Sequence, residues 1–343
     1  MSFVSILDEL QGSERRRLDS KMPSWAGAGI TVPAAVNLQQ CSGEEAARYK
    51  ASLLPCGARV ADLTGGLGAD SWAFSRRAAA VWYNERDAVL LEAVKCNFAL
   101  LDVHNVEFHG FDIGPETSGW RESLCAFAPD LIYLDPARRS ADGKKVFLLE
   151  DCSPDVLQIM PALLDIAPRV MIKVSPMADI TMLRRRLDGS LHELIVSGAS
   201  GECKELLCLC RRDAGFQGVR LHENGADFDS SLSYAPGTLL FVPSASLVKS
   251  GLGPGMGLME YDDALAPFGR FWRVTENLPF ASSVIKDLGR RYPKAEVTAR
   301  GVPLSSDGLR AKMKTKPGGP VHIFACTVGA SRRLLVCRKF EEL

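Results

Sequence analysis

The sequence lacks a long apolar segment: its 343 residues contain no run of about 18 uncharged apolar side chains. A helix needs such a run to cross a membrane, so the sequence predicts no membrane contact. The first residues, MSFVSILDELQGSERRRLDSK, place acidic side chains where a secretory signal requires an apolar core. Together these absences predict a cytoplasmic protein.

Paired cysteines and metal-ligand clusters are missing as well. The chain has ten cysteines and five histidines, but it has no C-x-x-C pair and no histidine cluster at metal-binding spacing. We therefore expect reduced thiols that mostly fill the core, and no metal ion.

Net charge is absent from the chain as a whole, because 41 Lys and Arg balance 41 Asp and Glu. The balance is uneven, since thirteen basic residues face five acidic ones from Ala281 onward. A basic segment favours contact with nucleic acid, although charge runs are often only solvated faces. The predicted RNA contacts are Arg300, Lys312, Lys314 and Lys316.

The length suits two domains. Short β-rich runs alternate with helical stretches from residue 51 to 212, which predicts a parallel sheet covered on both faces. The last two runs, Leu191–Val196 and Glu205–Cys210, are joined by too few residues for a crossover helix, so they form an antiparallel hairpin. The fold class is therefore α/β, with the five parallel strands and the hairpin of the Rossmann-like methyltransferase sheet. The predicted domain order is a helical extension (1–50), this sheet domain (51–212), a linker (213–235) and a small α+β domain (236–343).

A glycine-rich turn, ADLTGGLGAD, follows the first predicted strand and opens a helix. Gly65, Gly66 and Gly68 let the backbone approach a ligand at the carboxyl edge of the sheet, where doubly wound folds bind cofactors. Such turns also occur where a helix merely packs on a strand, so the turn by itself leaves both interpretations open.

Four successive strands each end in an acid: Asp62, Glu85, Asp112 and Asp135. A dinucleotide site receives a pyrophosphate and avoids carboxylates around its glycines. S-adenosylmethionine carries an ammonium, a sulfonium and a ribose diol, which suit carboxylates. We expect Glu85 to accept the ribose hydroxyls and Asp112 to face the adenine amino group. The alternative is that these acids cap helices or lie in solvated turns.

Four segments resemble motifs I to IV of class I methyltransferases: DLTGGLGAD, YNERD, FDIG and LDPARRS. LQQCSGEEAARYKA and YPKAEVTARGVPLS further resemble a bacterial family that joins this fold to a THUMP-like domain. THUMP domains are RNA-binding modules, so the resemblance implies an RNA substrate. It places on the cofactor Asp62, Gly65, Gly66, Gly68, Glu85 and Asp112, with Gln40 beside it. The predicted cofactor set also includes Thr64, Asp70 and Asp135.

The fourth motif, DPARR, is expected beside the transferable methyl group. Enzymes that methylate exocyclic amines have a second proline and an aromatic ring where this chain has Ala137 and Arg138, which argues against that chemistry. DPAR also resembles uracil-C5 RNA methyltransferases, which need a cysteine after the fifth strand. This chain has Ser175 there, and Cys152, the first cysteine after the DPARR motif, is expected to face packing.

These departures predict direct in-line transfer to a nitrogen or oxygen of an RNA base, with Asp135, Pro136 and Arg138 positioning the acceptor. Lys173, in the fifth strand, either pairs with Asp135 or reaches water, and is counted with the catalytic residues. Ser153 and Pro154 predict the start of the next helix. Three alternatives stay open: a protein or small-molecule methyltransferase, a non-catalytic RNA-binding protein, and a dehydrogenase.

Overall fold

The computed structural model describes residues 12–138 and 149–340. Three helices form the N-terminal extension: α1 (Gly12–Lys21), α2 (Ala35–Gln40) and α3 (Glu44–Ser52). The extension belongs to the core of the sheet unit, because Trp25 is fully buried and its ring meets the edge of Trp72 at 5.9 Å between centroids.

Five parallel strands follow: β1 (Arg59–Asp62), β2 (Ala80–Asn84), β3 (Val106–His109), β4 (Leu131–Leu134) and β5 (Val170–Val174). Helices connect or follow them: α4 (Ala69–Ser75), α5 (Ala88–Leu100), α6 (Trp120–Phe127), α7 (Val156–Ile166) and α8 (Ile180–Arg186). β1 and β4 are almost wholly buried, as expected for parallel strands covered on both faces. Their carboxyl ends share one edge of the sheet.

The predicted hairpin is present as β6 (Leu191–Ala199) and β7 (Glu202–Cys210). β7 lies between β5 and β6 and runs antiparallel to β5, which gives the order β3-β2-β1-β4-β5-β7-β6. The predicted fold class is confirmed. Two further strands, β8 (Gly218–Glu223) and β9 (Ala226–Asp227), extend the sheet beyond β6. They lie where the sequence predicted a linker, because their half-polar residues give no apolar run.

One helix boundary was wrong. α7 begins at Val156, and the Asp155 side chain caps it by accepting from the amides of Leu157 and Gln158. Ser153 instead pairs with Ala137 in a two-residue antiparallel ladder. Asp155 is the better cap because its carboxylate reaches two free amides of the first turn.

The C-terminal sheet has six strands: β10 (Pro236–Pro243), β11 (Gly257–Met259), β12 (Gly269–Pro279), β13 (Glu296–Ala299), β14 (His322–Val328) and β15 (Ser331–Lys339). Their order is β11-β10-β12-β15-β14-β13, with only the β13–β14 pair parallel. The helices here are α9 (Ala245–Ser250), α10 (Ser282–Arg291) and α11 (Ser306–Met313). The long strand β12 was not predicted, because exposed residues alternate with partly buried ones along most of its length.

The chain divides into two units. The first comprises residues up to Ile195 together with Glu205–Gly218, and the second comprises Val196–Lys204 and Val219 onward. The outer part of the hairpin therefore groups with the second unit. In the described residues, no helix is long and apolar enough to cross a membrane, and no three metal-ligating side chains form a cluster.

Candidate functional site

The glycine-rich turn is fixed by close packing. The amide of Gly65 donates to the carbonyl of Asn84 at 2.8 Å, and a Cβ at Gly65 would lie 2.0 Å from the Tyr83 ring. Gly68 caps α4 with φ +86°, where a Cβ would lie 2.8 Å from Phe98. Only glycine fits these two positions, so the turn lies directly against the second strand.

A cleft of about 320 Å³ opens at the carboxyl edge of the sheet. Eight of the predicted cofactor residues line it: Gln40, Thr64, Gly65, Gly66, Asp70, Glu85, Asp112 and Asp135. Asp62 and Gly68 do not line it. Several lining residues were not predicted, among them Asn37, Cys41, Ser42, Arg86, Phe111 and Ser153. Three of these come from the N-terminal extension, whose helical pattern gave no sign that it reaches the sheet edge.

Asp62 lies beneath the turn rather than in the cleft. Its side chain is buried, accepts from the Ser71 hydroxyl at 2.6 Å, and accepts from the Thr64 amide at 3.1 Å. Burial, reinforced by the nearby Asp70 carboxylate, raises the pKa of Asp62 to about 7. Asp62 therefore supports the turn that carries the lining residues.

Glu85 faces the cleft from the end of β2. One carboxylate oxygen accepts from the Gly66 amide at 3.1 Å, and the other accepts from the Asp87 amide at 2.8 Å. These backbone bonds hold the half-buried carboxylate in one orientation at the floor of the cleft. Asn84 immediately precedes Glu85. Its side-chain nitrogen donates to the Phe111 carbonyl, and its side-chain oxygen accepts from the Phe111 amide.

Asp112 marks the outer rim of the cleft. Its side chain is 69% exposed, and the Arg86 guanidinium lies 3.8 Å away. The Arg86 guanidinium also donates to the Ser153 hydroxyl at 3.3 Å. The preceding Phe111 ring lies parallel to His109, with centroids 5.7 Å apart. The rim therefore combines an acid, a guanidinium and an aromatic ring.

Asp70 faces the cleft but is engaged by protein groups. It accepts from the Ser42 hydroxyl at 2.9 Å and from the Tyr133 hydroxyl at 2.8 Å, and Lys50 lies 3.1 Å away. Burial alone would raise the pKa of Asp70, but Lys50 and, to a smaller extent, Lys173 and Tyr133 outweigh burial and lower it. Asp70 is therefore a buried carboxylate at the cleft wall.

The acceptor end of the cleft lies at β4 and β5. The Lys173 ammonium donates to Asp135 at 2.5 Å, so the ion pair is the one of the two expected arrangements that is present. Burial alone would lower the pKa of Lys173, but Asp135, helped by Asp70 and Glu205, outweighs burial and raises it. The Asp135 amide donates to the Thr64 hydroxyl at 2.6 Å, which connects this strand end to the glycine turn.

The rest of the DPARR motif is only partly described. Pro136 is half-buried, and the Arg138 backbone pairs with Cys152. The Arg138 side chain and all of Arg139 lie outside the described residues.

Cys152, the first cysteine after the DPARR motif, does not line the cleft. Cys41, at the end of α2, lines the cleft, and burial raises the pKa of its thiol although Lys21 partly opposes the shift. Ser175 occupies the turn after β5, where its hydroxyl accepts from the Met177 amide at 3.3 Å. Cys41 was not predicted as part of the site, because it precedes Asp135 by 94 positions in the sequence.

The predicted RNA contacts lie in the second unit. Arg300 follows β13, Lys312 is on α11, and Lys314 and Lys316 follow that helix; all four are exposed. Lys294 joins them, because its backbone forms a bridge with that of Lys316. Within the described ranges no carboxylate forms an ion pair with any of the five, so they present uncompensated positive charge.

Comparisons with known proteins agree with this architecture. A family model described as THUMP domain-like matches residues 269–339. Two Mycobacterium tuberculosis proteins, from strains CDC 1551 and H37Rv, are each named an uncharacterized S-adenosylmethionine-dependent methyltransferase. Each is 25% identical over 318 residues, covering 85% of this chain and 84% of its own. A crystal structure from Porphyromonas gingivalis W83, described as a methyltransferase, is 29% identical and covers 99% of this chain and 95% of its own, with a TM-score of 0.78. The chain is therefore a class I S-adenosylmethionine-dependent methyltransferase that carries a THUMP-like domain.

Proposed function

We propose that the cleft binds S-adenosylmethionine and that the enzyme methylates a nitrogen or oxygen of an RNA base. S-adenosylmethionine, when bound, supplies an electrophilic methyl group on a positively charged sulfur. The donor set of the cleft fits that cation. Carboxylates lie on its floor, wall and rim, as Glu85, Asp70 and Asp112, and a fourth, Asp135, lies at the acceptor end.

The cofactor end is assigned by hydrogen-bonding capacity. Two backbone amides orient the Glu85 carboxylate, which keeps further lone pairs for a ribose diol. Thr64, Gly65 and Gly66 bring backbone and a hydroxyl to the cleft without bulk, and Gln40 contributes an exposed amide from α2. Asp112 at the rim accepts hydrogen bonds from an adenine amino group. Asp62 and Gly68 act indirectly, by holding the turn.

The acceptor end is assigned to Asp135 and Lys173. Lys173 bonds one carboxylate oxygen, Oδ2, and leaves Oδ1 to accept a hydrogen bond from an N–H or O–H of the acceptor. Since the pair is fixed at the ends of two neighbouring strands, it orients the attacking atom without reorganisation. Pro136 and Arg138 adjoin this point and complete the proposed acceptor site.

RNA as the substrate is supported by the second unit. The THUMP-like match covers Arg300, Lys312, Lys314 and Lys316. Their exposed, unpaired charges suit phosphate groups. The proposal of an RNA substrate rests on these exposed, unpaired basic residues of the second unit.

The test uses the full chain with methyl-labelled S-adenosylmethionine and total RNA from cells that lack the protein. We expect label in RNA, and mass mapping of the nucleosides then identifies the methylated base. Asp135→Ala serves as the inactive control. Label that appears in protein or small molecules, and not in RNA, would overturn the RNA assignment and favour a protein or small-molecule substrate.

A further inference from the structure

Lys50 occupies an unusual position on α3 of the N-terminal extension. Its side chain is fully buried, although lysine is almost never buried without partners. The ammonium donates to both oxygens of Glu205 at 3.0 Å and to the Ser42 hydroxyl at 2.9 Å, and it lies 3.1 Å from Asp70. Lys50 therefore joins three elements: the extension, the first turn of α4, and β7.

The position requires a cation. Burial alone would lower the pKa of Lys50, but the carboxylates of Asp70 and Glu205 outweigh burial and raise it. The ammonium thus compensates two buried carboxylates at once. Removal of one member of such a buried group leaves charge without a partner, which is far more harmful than loss of a surface ion pair.

Two of these contacts reach the cleft wall. Asp70 and Ser42 both line the cleft, whereas Lys50 does not. The Ser42 hydroxyl accepts from Lys50 and donates to Asp70, so it is held from both sides. Ser42 directly follows Gln40 and Cys41, which also line the cleft. The Lys50 ammonium therefore bonds or pairs with two residues of this part of the wall, Ser42 and Asp70.

We propose that Lys50 is a positioning residue of the cofactor site, which holds the segment from Gln40 to Ser42 as a fixed wall of the cleft against Asp70. The inference rests on the proposed location of the cofactor in this cleft. The N-terminal extension is then part of the methyltransferase site, and it contributes to cofactor affinity through a residue that does not touch the cofactor.

The experiment measures binding of S-adenosylhomocysteine to the full chain by calorimetry, with folding checked by circular dichroism. Lys50→Met should raise the Kd roughly tenfold or more, because Ser42 and Asp70 in the cleft wall lose the buried ammonium that they contact. Lys50→Arg keeps the charge, and its guanidinium is able to bond both oxygens of Glu205, so its Kd should lie within about threefold of wild type. Arg48→Met is the matched control. Arg48 is on the same helix, but it is 54% exposed and pairs with Glu44 at the surface, so its loss should leave the Kd unchanged.

Glu85→Ala is measured in parallel to separate this inference from the proposed site. If Glu85→Ala weakens binding while a folded Lys50→Met variant binds as wild type does, the positioning role is wrong and the site stands. If neither variant changes the Kd, the cofactor binds elsewhere and both proposals fail. Should Lys50→Met not fold, Glu205→Gln decides, since it keeps the shape and removes one charge. Roughly threefold weaker binding supports the role, and unchanged binding overturns it.

Discussion

The Lys173 ammonium and the Asp135 carboxylate lie 2.5 Å apart at the ends of two neighbouring parallel strands. Lys173 has only 15% of its side chain exposed, whereas Asp135 has 35% exposed and faces the cleft. The cation is therefore behind the carboxylate, and the carboxylate is what an acceptor meets. This arrangement distinguishes the two ends of the cleft: Glu85 serves the proposed cofactor end, and Asp135 the acceptor end.

Asp135→Ala should separate turnover from cofactor binding. We expect methyl transfer to fall by a factor on the order of a hundred or more, because the group that orients the acceptor is gone. Cofactor affinity, measured by calorimetry, should stay within about threefold of wild type. Asp130→Ala, at the opposite end of β4, is the control and should retain turnover. Equal losses of affinity and turnover would place Asp135 on the cofactor instead.

Glu85→Ala should weaken S-adenosylmethionine binding by roughly tenfold or more, because buried hydroxyls of the ligand lose their acceptor. Glu92→Ala is the matched control, since Glu92 is half exposed on α5 and pairs with Lys95 at the surface. Calorimetry on both variants makes the comparison. A wild-type Kd for Glu85→Ala would contradict the placement of the ribose at β2.

Asp62→Asn should change how stability depends on pH. Burial raises the pKa of Asp62 from 3.8 to about 7 in the folded protein. Between these values the folded state holds a proton that the unfolded chain has lost, so the contribution of Asp62 to stability falls as pH rises through that window. Asn does not titrate. The variant should therefore gain stability relative to wild type from about pH 4 to 7, by up to about 4 kcal/mol.

Urea unfolding of wild type and Asp62→Asn at several pH values measures this difference. A stability difference that is the same at every pH would show that Asp62 titrates like an exposed acid. The same variant also tests the structural role of Asp62, because Asn still accepts from the Thr64 amide and preserves the turn.

The sheet was predictable because its strands are short, apolar and separated by helices. β4 and β5 are such short apolar runs, and the eight-residue connection SGASGECK between the last two predicted runs indicated the antiparallel hairpin. β8 and β12 were not predicted, since their burial alternates or stays partial and therefore gives no apolar run. Apolar runs in the sequence therefore reveal strands that are buried on both faces better than strands that are buried on one face.

The site residues that follow strands were predictable from the sequence, whereas most of those from the N-terminal extension were not. Glu85, Asp112 and Asp135 line the cleft because strand ends share one edge. Asp62 also ends a strand, but its side chain turns under the glycines. Lys50 and Cys41 belong to the extension, and only tertiary packing brings them to the sheet. No spacing rule relates residue 50 to residue 205.

Simultaneous replacement of four lysines tests the basic surface: Lys294, Lys312, Lys314 and Lys316, each to Ala. RNA binding should weaken for all sequences alike, because phosphate contacts carry no base information. The magnitude of the slope of log affinity against log salt should fall by up to about 3.6, at roughly 0.7–0.9 per lost contact. Filter binding at several salt concentrations measures both effects.

The control for this variant removes lysines that already have partners. Lys95 and Lys204 lie 2.6 Å from Glu92 and Glu202, respectively. Replacing both by Ala should leave the salt slope near its wild-type value. Equal losses in the two variants would indicate a general effect of charge rather than a defined RNA surface.

The presence of Cys41 in the cleft raises the question of whether the reaction passes through a covalent intermediate. A C5 pyrimidine methyltransferase must first add a thiolate to C6 of the base, so it needs a low-pKa cysteine beside the methyl group. Cys41 lines the cleft, but burial raises the pKa of its thiol, and it packs in the wall with its sulfur 3.4 Å from the Leu38 carbonyl. We therefore expect no covalent adduct when the enzyme is incubated with cofactor and RNA containing 5-fluoropyrimidine. Cys41→Ser and Cys152→Ser should both retain turnover within about threefold. A stable, cofactor-dependent adduct that disappears in either serine variant would show that the enzyme acts on carbon, and would make that cysteine the nucleophile.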